Sequence, residues 1–424
     1  MLAVVLLLMG CRSGEAPATA SATTGGAVTE RIVLDVLRPD GELEQVYAIV
    51  GLPHDPGPHP VVVYAHGQGL PAAFNCAEGP PDDSVSDHAE LVTLGLANEG
   101  WLTVTPLFRN RGDTAPLLGA TRPRDHYLLD ASAVLAAAQH GVAHPAGGGP
   151  VGLVGLSMGS FAVTWAGSSE PALDAAAAGL DLRVVVAGAM LGDHIGNLGR
   201  VHAALSHPEE LGRAEAITQA VVGAVNAMAF PRGVDPITSA AHVDDLLTPR
   251  GTELAERGLL EAADPAWAPC EGLEGAPICS IDCFVELFYD VLGDEPLDPA
   301  SFLEPVTLEA LDHWALTDGA DPGPSPTNPV LAALRSMSPA YGLPGARTAR
   351  WASLLADNDR VVTELLAVGE LPRERWLEAL EATGAEVADL RVTESGCGHD
   401  DYLLPSYGEC GFDLVRAELR AALE

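Results

Sequence analysis

Lysine is absent from this chain of 424 residues, and positive charge as a whole is scarce. All 22 basic residues are arginine, against 59 acidic residues, and the formal net charge is −37. A surface with this charge repels phosphate backbones and anionic lipid headgroups. The composition therefore excludes nucleic acid as a partner and favours a highly soluble protein.

Aromatic residues and long apolar runs are scarce as well. Only 5% of the residues are aromatic although 47% are hydrophobic, so we expect a core built mainly from Ala, Val and Leu. The apolar run at residues 1–9 is too short to cross a bilayer, which takes about 20 residues. Its length instead suits the apolar region of an export signal.

The N-terminal run ends in a motif that resembles a bacterial lipobox, Leu8-Met9-Gly10-Cys11, although neither Lys nor Arg precedes it. We expect residues 1–11 to be a lipoprotein signal in which Cys11 becomes lipidated. Residues 12–29 are mostly small or polar, which predicts a disordered tether. These patterns predict export and lipid anchoring to the bacterial cell envelope. The alternatives are secretion after cleavage of the signal and a buried first strand.

Cysteine is used sparingly, and six cysteines remain once Cys11 is set aside. An even number in an exported protein indicates disulfides, and six cysteines allow fifteen pairings. The six are Cys76, Cys270, Cys279, Cys283, Cys397 and Cys410. We favour the local pair Cys397 with Cys410, and expect at least one bridge within the segment 270–283. A metal site in that segment is disfavoured, because paired C-x-x-C spacing is missing.

Short apolar segments alternate with helical patterns along most of the chain. Strands are predicted at 31–37, 45–50, 60–65, 101–106, 183–190, 349–356 and 386–392, with a further strand beginning at Val151, and helices at 87–99, 125–140, 161–166, 372–383 and 412–423. This alternation predicts an α/β fold with a doubly wound, mostly parallel sheet. The rhythm fails over 191–345, which predicts a large, mainly helical cap inserted between core segments 30–190 and 346–424.

Gly155-Leu-Ser157-Met-Gly159 is the most informative motif, because it lies between a strand pattern and a helix pattern. A serine at a sharp strand-to-helix turn is a nucleophile elbow, whose strained backbone only small neighbours tolerate. Ser157 would then stand exposed at the end of the sheet. The alternative is a glycine-rich loop in which Ser157 only caps the helix.

A serine nucleophile needs a base and a group that orients the base. Asp359 follows the strand at 349–356, and His399 follows the strand at 386–392 in a glycine-containing stretch. Ser157, Asp359 and His399 therefore occur in the order serine, acid, histidine, each just beyond a strand. The carboxyl ends of parallel strands are where such sheets place their sites.

With these residues the chain resembles the α/β-hydrolase superfamily, and its dienelactone-hydrolase-like and prolyl-oligopeptidase-like branches in particular. The motifs are His66-Gly-Gln-Gly69, Arg109-Asn-Arg-Gly112, the elbow, Asp357-Asn-Asp359-Arg-Val-Val362 and Gly398-His399-Asp400. The resemblance implies serine hydrolase chemistry without metal or cofactor. It also implies an oxyanion hole made by the N–H of Gly67 or Gln68 and the N–H of Met158. Ala356 replaces a glycine of the family pattern, which leaves Asp357 as an alternative acid.

These features predict a serine hydrolase that cleaves small carboxylic ester or acyl substrates through an acyl-enzyme on Ser157. One alternative is a serine peptidase of the prolyl-oligopeptidase-like branch. That branch usually carries an N-terminal β-propeller, and we expect none before the first strand here. Another alternative is a non-catalytic surface lipoprotein that uses a hydrolase scaffold.

Overall fold

A computed structural model shows how the predicted elements assemble. It describes residues 26–38, 41–67, 82–108, 123–190, 192, 248–251, 298–309, 335, 338–357, 372–393, 397, 403, 405 and 410–424. These ranges include most of both predicted core segments, 30–190 and 346–424, and little of the insertion between them.

The described core is built on one sheet of eight strands. The strands are β1 (Val28–Leu37), β2 (Leu43–Leu52), β3 (His59–Ala65), β4 (Leu102–Pro106), β5 (Gly147–Leu156), β6 (Leu182–Gly188), β7 (Arg350–Ala356) and β8 (Glu386–Val392). Their order across the sheet is β1-β2-β4-β3-β5-β6-β7-β8. β2 runs antiparallel to both β1 and β4, and every other neighbouring pair is parallel. The predicted mostly parallel sheet is thereby confirmed.

Helices cover both faces of this sheet. The longer described helices are α1 (Asp82–Asn98), α2 (Pro123–Ala143), α3 (Met158–Gly167), α4 (Pro372–Glu381) and α5 (Phe412–Leu423), with short turns at Asp174–Ala177 and Pro299–Phe302. On β5, a Cβ added to Gly152 would meet Leu419 of α5, whereas one added to Gly155 would meet Val163 of α3. Side chains three residues apart on a strand point to opposite faces. α5 and α3 therefore lie on opposite faces, and the sheet is doubly wound.

The sequence pattern explains why these segments fold as they do. β3 is a continuous apolar run, and its residues 61–65 are fully buried, as expected for a central strand with helices on both faces. α5 buries Phe412, Val415, Leu419 and Leu423, whose spacing of three and four places them on one face of the helix. The remaining face carries charged residues towards solvent.

Element boundaries differ from the predictions in ways that pairing explains. β1 and β2 each extend several residues beyond 31–37 and 45–50, because their antiparallel ladder runs from the Val28–Leu52 pair to the Leu37–Leu43 pair. β6 is shorter than 183–190 and stops at Gly188, because Ala189 has φ 51° and cannot continue a strand.

The insertion 191–345 lies almost entirely outside the described residues, so its predicted helical character is not addressed by the structure. Its last residues, 338–345, lead into β7 through a turn at Pro339–Tyr341. The signal at 1–11 and residues 12–25 of the predicted tether also lie outside the described residues. The predicted tether extends too far, because Val28 and Thr29 belong to β1, where they pair with Leu52 and Gly51 of β2. Within the described part of the chain, none of the helices has the length and apolarity needed to cross a membrane.

Candidate active site

Ser157 occupies the sharp turn between β5 and α3. Its backbone has φ 51° and ψ −117°, and its hydroxyl makes no capping bond to α3. A helix-capping serine normally has an extended backbone and a bonded side chain. Ser157 therefore does not cap α3 through its side chain, and the turn has the strained backbone that a nucleophile elbow requires. Strain of this kind persists only where the surroundings impose it, and it concentrates at functional sites.

The two glycines of the motif allow strand, turn and helix to pack closely. A Cβ on Gly155 would lie 2.5 Å from the carbonyl oxygen of Gly159. A Cβ on Gly159 would overlap the backbone carbonyl of Ala65 at the end of β3. A side chain at either position would therefore push the elbow away from the sheet. The G-x-S-x-G spacing is a steric requirement of this turn.

The chain after β3 passes directly beside the nucleophile turn. A Cβ on Gly67 would lie 3.5 Å from Cβ of Ser157, so the backbone of this loop borders the serine. His66 is buried, and its Nδ1 donates to the carbonyl of Gly67 at 2.7 Å while its ring packs 5.1 Å from Phe108. These contacts fix the loop from which one oxyanion donor is expected. Gln68, the other candidate in that loop, lies outside the described residues.

Met158 is the first residue of α3, which leaves its N–H at the free end of the helix. The first N–H groups of a helix have no intrahelical partner, and they carry the positive end of its dipole. No acidic side chain occupies the first turn of α3 to compete for these groups. The thioether of Met158 accepts a hydrogen bond at 3.6 Å from Tyr127 of α2. This end of α3 is suited to bind a developing oxyanion.

The two carboxylates considered for the acid position differ in what the structure describes. Asp357 follows β7 directly, and its exposed carboxylate lies 4.0 Å from Arg391. An acid that orients a catalytic histidine is ordinarily buried and hydrogen-bonded to the ring. Asp357 therefore has the environment of a surface carboxylate. Asp359 lies outside the described residues.

His399 also lies outside the described residues, but the disulfide beside it does not. Cys397 and Cys410 are both buried and are joined with an S–S distance of 2.06 Å, which is the local pair favoured from the sequence. The bond closes a loop that contains His399 and ends next to the start of α5. The other candidate cysteines, Cys76, Cys270, Cys279 and Cys283, and the lipidation candidate Cys11, lie outside the described ranges.

Within the loop closed by this disulfide, Leu403 is buried and has a left-handed backbone, with φ 62°. Pro405 packs so closely on Gly95 of α1 that a Cβ there would overlap its ring. The segment that carries His399 is thus attached to the core at both ends and between them.

One buried polar residue near the elbow, Ser160, was not predicted from the sequence. Ser160 is fully buried in α3, and its hydroxyl donates at 2.5 Å to the carbonyl of Gly188, at the end of β6. The same carbonyl accepts the N–H of Ser157 at 2.8 Å. The only local signal was that a serine follows the second glycine of the motif.

Among the described residues, no cluster of three His, Cys, Asp or Glu side chains is suited to hold a metal.

Solved structures of other proteins share this fold at low sequence identity to the chain. The rice cell wall degrading esterase LipA of Xanthomonas oryzae matches with a TM-score of 0.52 at 14% identity, over 94% of this chain and 92% of that one. A Legionella pneumophila protein described as a hydrolase matches at 0.53 and 15%, over 93% and 89%. Candida antarctica lipase A in its closed state matches at 0.53 and 13%, over 94% and 79%.

These matches define the chain as having the α/β-hydrolase fold, in agreement with the sheet order and the elbow. By sequence, no protein-family model matches the chain, and no curated protein matches it significantly. At 13–15% sequence identity, the similarity to these solved structures concerns the fold alone.

Proposed function

We propose that this protein is a serine hydrolase that cleaves carboxylic esters through an acyl-enzyme on Ser157. The observation that carries the proposal is the strained backbone of Ser157 between β5 and α3, at the carboxyl edge of the parallel strands, with a side chain that does not cap α3. The similar structures named above as an esterase and a lipase support the same reaction class.

The chemistry follows from the roles of the proposed residues. His399 takes the proton of the Ser157 hydroxyl while the oxygen of Ser157 attacks the ester carbonyl. Asp359 orients the His399 ring and stabilises the imidazolium that forms. The N–H of Met158 and that of Gly67 or Gln68 bind the oxyanion, and losing one such donor typically costs about 10²–10³ in rate. His399 then protonates the leaving alcohol, and water hydrolyses the acyl-enzyme. No step needs a metal or cofactor.

Labelling by a fluorophosphonate probe tests the nucleophile directly. We expect the folded wild-type protein to be labelled and to hydrolyse short p-nitrophenyl esters, and S157A to do neither. Wild-type turnover by S157A would reject the mechanism, while a folded wild-type protein that resists labelling would favour the non-catalytic scaffold. A higher kcat/KM for peptidyl anilides than for esters would favour the peptidase.

The choice of acid is tested by comparing two asparagine variants. Asp357→Asn changes an exposed carboxylate beside Arg391, so we expect kcat within about twofold of wild type. Asp359→Asn would present the wrong hydrogen-bonding group to His399, and a loss of about 10⁴ in kcat is expected from the same change in a serine protease. The reverse ranking would assign the acid to Asp357.

We also propose that Cys11 is lipidated and anchors the exported protein to the cell envelope, with the residues between Cys11 and β1 as the tether. The support is the lipobox-like sequence at residues 8–11. In a bacterial host that processes lipoproteins, wild type should fractionate with membranes and carry an acyl mass at Cys11. C11S should lose both properties. A soluble wild-type protein cleaved elsewhere would favour secretion instead.

A further inference from the structure

Two of the three described residues that have a positive φ without being glycine lie side by side at the carboxyl edge of the sheet. They are Ser157, after β5, and Ala189, after β6, each with φ 51°. Residues other than glycine, and Ala in particular, rarely adopt this conformation unless surrounding contacts impose it. The strain at Ser157 has a reason in the proposed chemistry, so the strain at Ala189 needs one of its own.

Ala189 is buried, and the peptide group that precedes it, Gly188–Ala189, makes three hydrogen bonds. Its carbonyl accepts the N–H of Ser157 at 2.8 Å and the hydroxyl of Ser160 at 2.5 Å. Its N–H donates to the carbonyl of Leu354 on β7 at 2.9 Å. This single peptide therefore connects the nucleophile turn on one side to β7 on the other. β7 is also the strand that leads into the segment with the proposed acid.

Ser160 contacts the nucleophile turn from two directions. Its N–H donates to the carbonyl of Ser157 at 3.0 Å, and its hydroxyl donates to the same Gly188 carbonyl that accepts the N–H of Ser157. The backbone carbonyl of Ser157 is thus bonded to Ser160, and its N–H is bonded to the Gly188 carbonyl, which Ser160 also bonds. Because Ser160 is fully buried, water cannot replace its hydroxyl as a donor.

We propose that Ser160 is a positioning residue, whose hydroxyl fixes the Gly188–Ala189 peptide and thereby the orientation of the Ser157 side chain and the Met158 N–H. Ala189 contributes to the same positioning, because its left-handed φ sets the orientation of the Gly188–Ala189 peptide plane. The proposal rests on the proposed serine hydrolase function. Without the hydroxyl, the N–H of Ser157 still bonds the Gly188 carbonyl, but α3 loses the side-chain bond that holds this peptide from beneath the site.

Ser160→Ala tests this role against a control in the same helix. Ser168, the residue that caps the other end of α3, is equally buried, and its hydroxyl donates to the carbonyl of Trp165 at 2.8 Å. S168A therefore removes a comparable buried bond that does not touch the elbow. Ser160→Cys keeps the shape with a weaker donor and serves as the conservative variant.

Four quantities are measured for each folded variant: the rate of fluorophosphonate labelling, kcat and KM for a p-nitrophenyl ester, and the urea midpoint of unfolding. For S160A we expect the labelling rate and kcat to fall about 10- to 100-fold, because small displacements of reacting groups slow a reaction by that much. We expect KM to stay within about twofold of the wild-type value. S160C should be intermediate, and S168A should keep wild-type labelling and kcat despite a similar shift in midpoint.

The outcomes separate this inference from the proposed function. If wild type is labelled and S160A reacts at the wild-type rate, or if S160A and S168A lose equal activity, Ser160 is structural only and the inference is wrong. If folded wild type is neither labelled nor active on esters, the proposed function fails and this role falls with it.

Discussion

The role of single residues at this site is decided by how little space surrounds them. Gly159 illustrates this best, since any side chain there meets the backbone of Ala65 and His66 at the end of β3. Backbone cannot move aside as a flexible side chain can, so the clash must displace the elbow. The requirement for glycine is therefore local and steric.

We expect Gly159→Ala to destabilise the protein by about 1–3 kcal/mol, which is the usual range for overpacking, and to abolish ester turnover. Unfolding in urea and fluorophosphonate labelling would measure the two effects. Gly342→Ala is the matched control, because its Cβ would meet nothing within 4 Å and its φ of −179° suits any residue. A fully labelled G159A would show that the turn tolerates a wider separation of β3 and α3.

At the scale of elements, the disulfide between Cys397 and Cys410 links the chain that follows β8 to the start of α5. The disulfide joins cysteines 13 residues apart and places the loop between them next to the start of α5. The bond stabilises mainly by restricting the unfolded chain, typically by about 2–4 kcal/mol.

Replacing both cysteines by serine should lower the free energy of unfolding by that amount and reduce ester turnover, because His399 lies inside the loop. Either single replacement removes the same bond, so C397S and C410S should each be about as destabilised as the double variant. Denaturant unfolding of the three variants measures this. Equal midpoints for wild type and the double variant would show that packing of Leu403 and Pro405 alone holds the loop.

A second link between elements gives a prediction about pH. Arg373, at the start of α4, is almost fully buried; it bonds the carboxylate of Asp389 on β8 and donates to Ser353 on β7 at 3.0 Å. Partial burial raises the pKa of Asp389, but bonds and charges from Arg373 and Arg391 outweigh it and leave that pKa below its ordinary value. A lowered pKa in the folded state means that the charged carboxylate stabilises the fold at neutral pH.

This stabilisation is present above the unfolded pKa of about 3.9 and disappears as the pH falls through the lower folded value. We therefore expect Asp389→Asn to be less stable than wild type from neutral pH down to about pH 5, with the gap shrinking as the pH falls further through the folded pKa of Asp389. Urea unfolding at several pH values measures the gap. A gap that does not change with pH would mean that the loss comes from the Asn amide itself and not from the missing charge of Asp389.

How much the sequence could predict depended on whether a feature is local. The parallel sheet and the elbow follow from apolar runs and glycine spacing within about ten residues, which is why both were found. The bond from Ser160 to Gly188 joins residues 28 positions apart, and nothing at either position signals the other. Likewise, the left-handed Ala189 follows from contacts with neighbouring strands, and an alanine in an apolar run predicts only that the strand continues.

For the whole molecule the dominant property is charge, since a net −37 is spread over a chain without lysine. The described arginines are largely committed to individual acidic partners, such as Arg350 with Glu418 and Arg347 with Asp174. The excess carboxylates repel one another, and this repulsion opposes the compact state. Salt weakens this repulsion, because the screening length falls from about 10 Å at 0.1 M to about 3 Å at 1 M.

We therefore expect the unfolding temperature to rise as NaCl is increased from 0.05 to about 0.5 M, with each 1 kcal/mol gained raising it by roughly 1 °C in a chain of this length. KCl at equal ionic strength should give the same rise, because screening depends on ion concentration and not on ion identity. Calorimetry at pH 7 measures it. An unfolding temperature that stays flat or falls with salt would mean that the arginine pairs, which salt also weakens, contribute more to stability than self-repulsion removes.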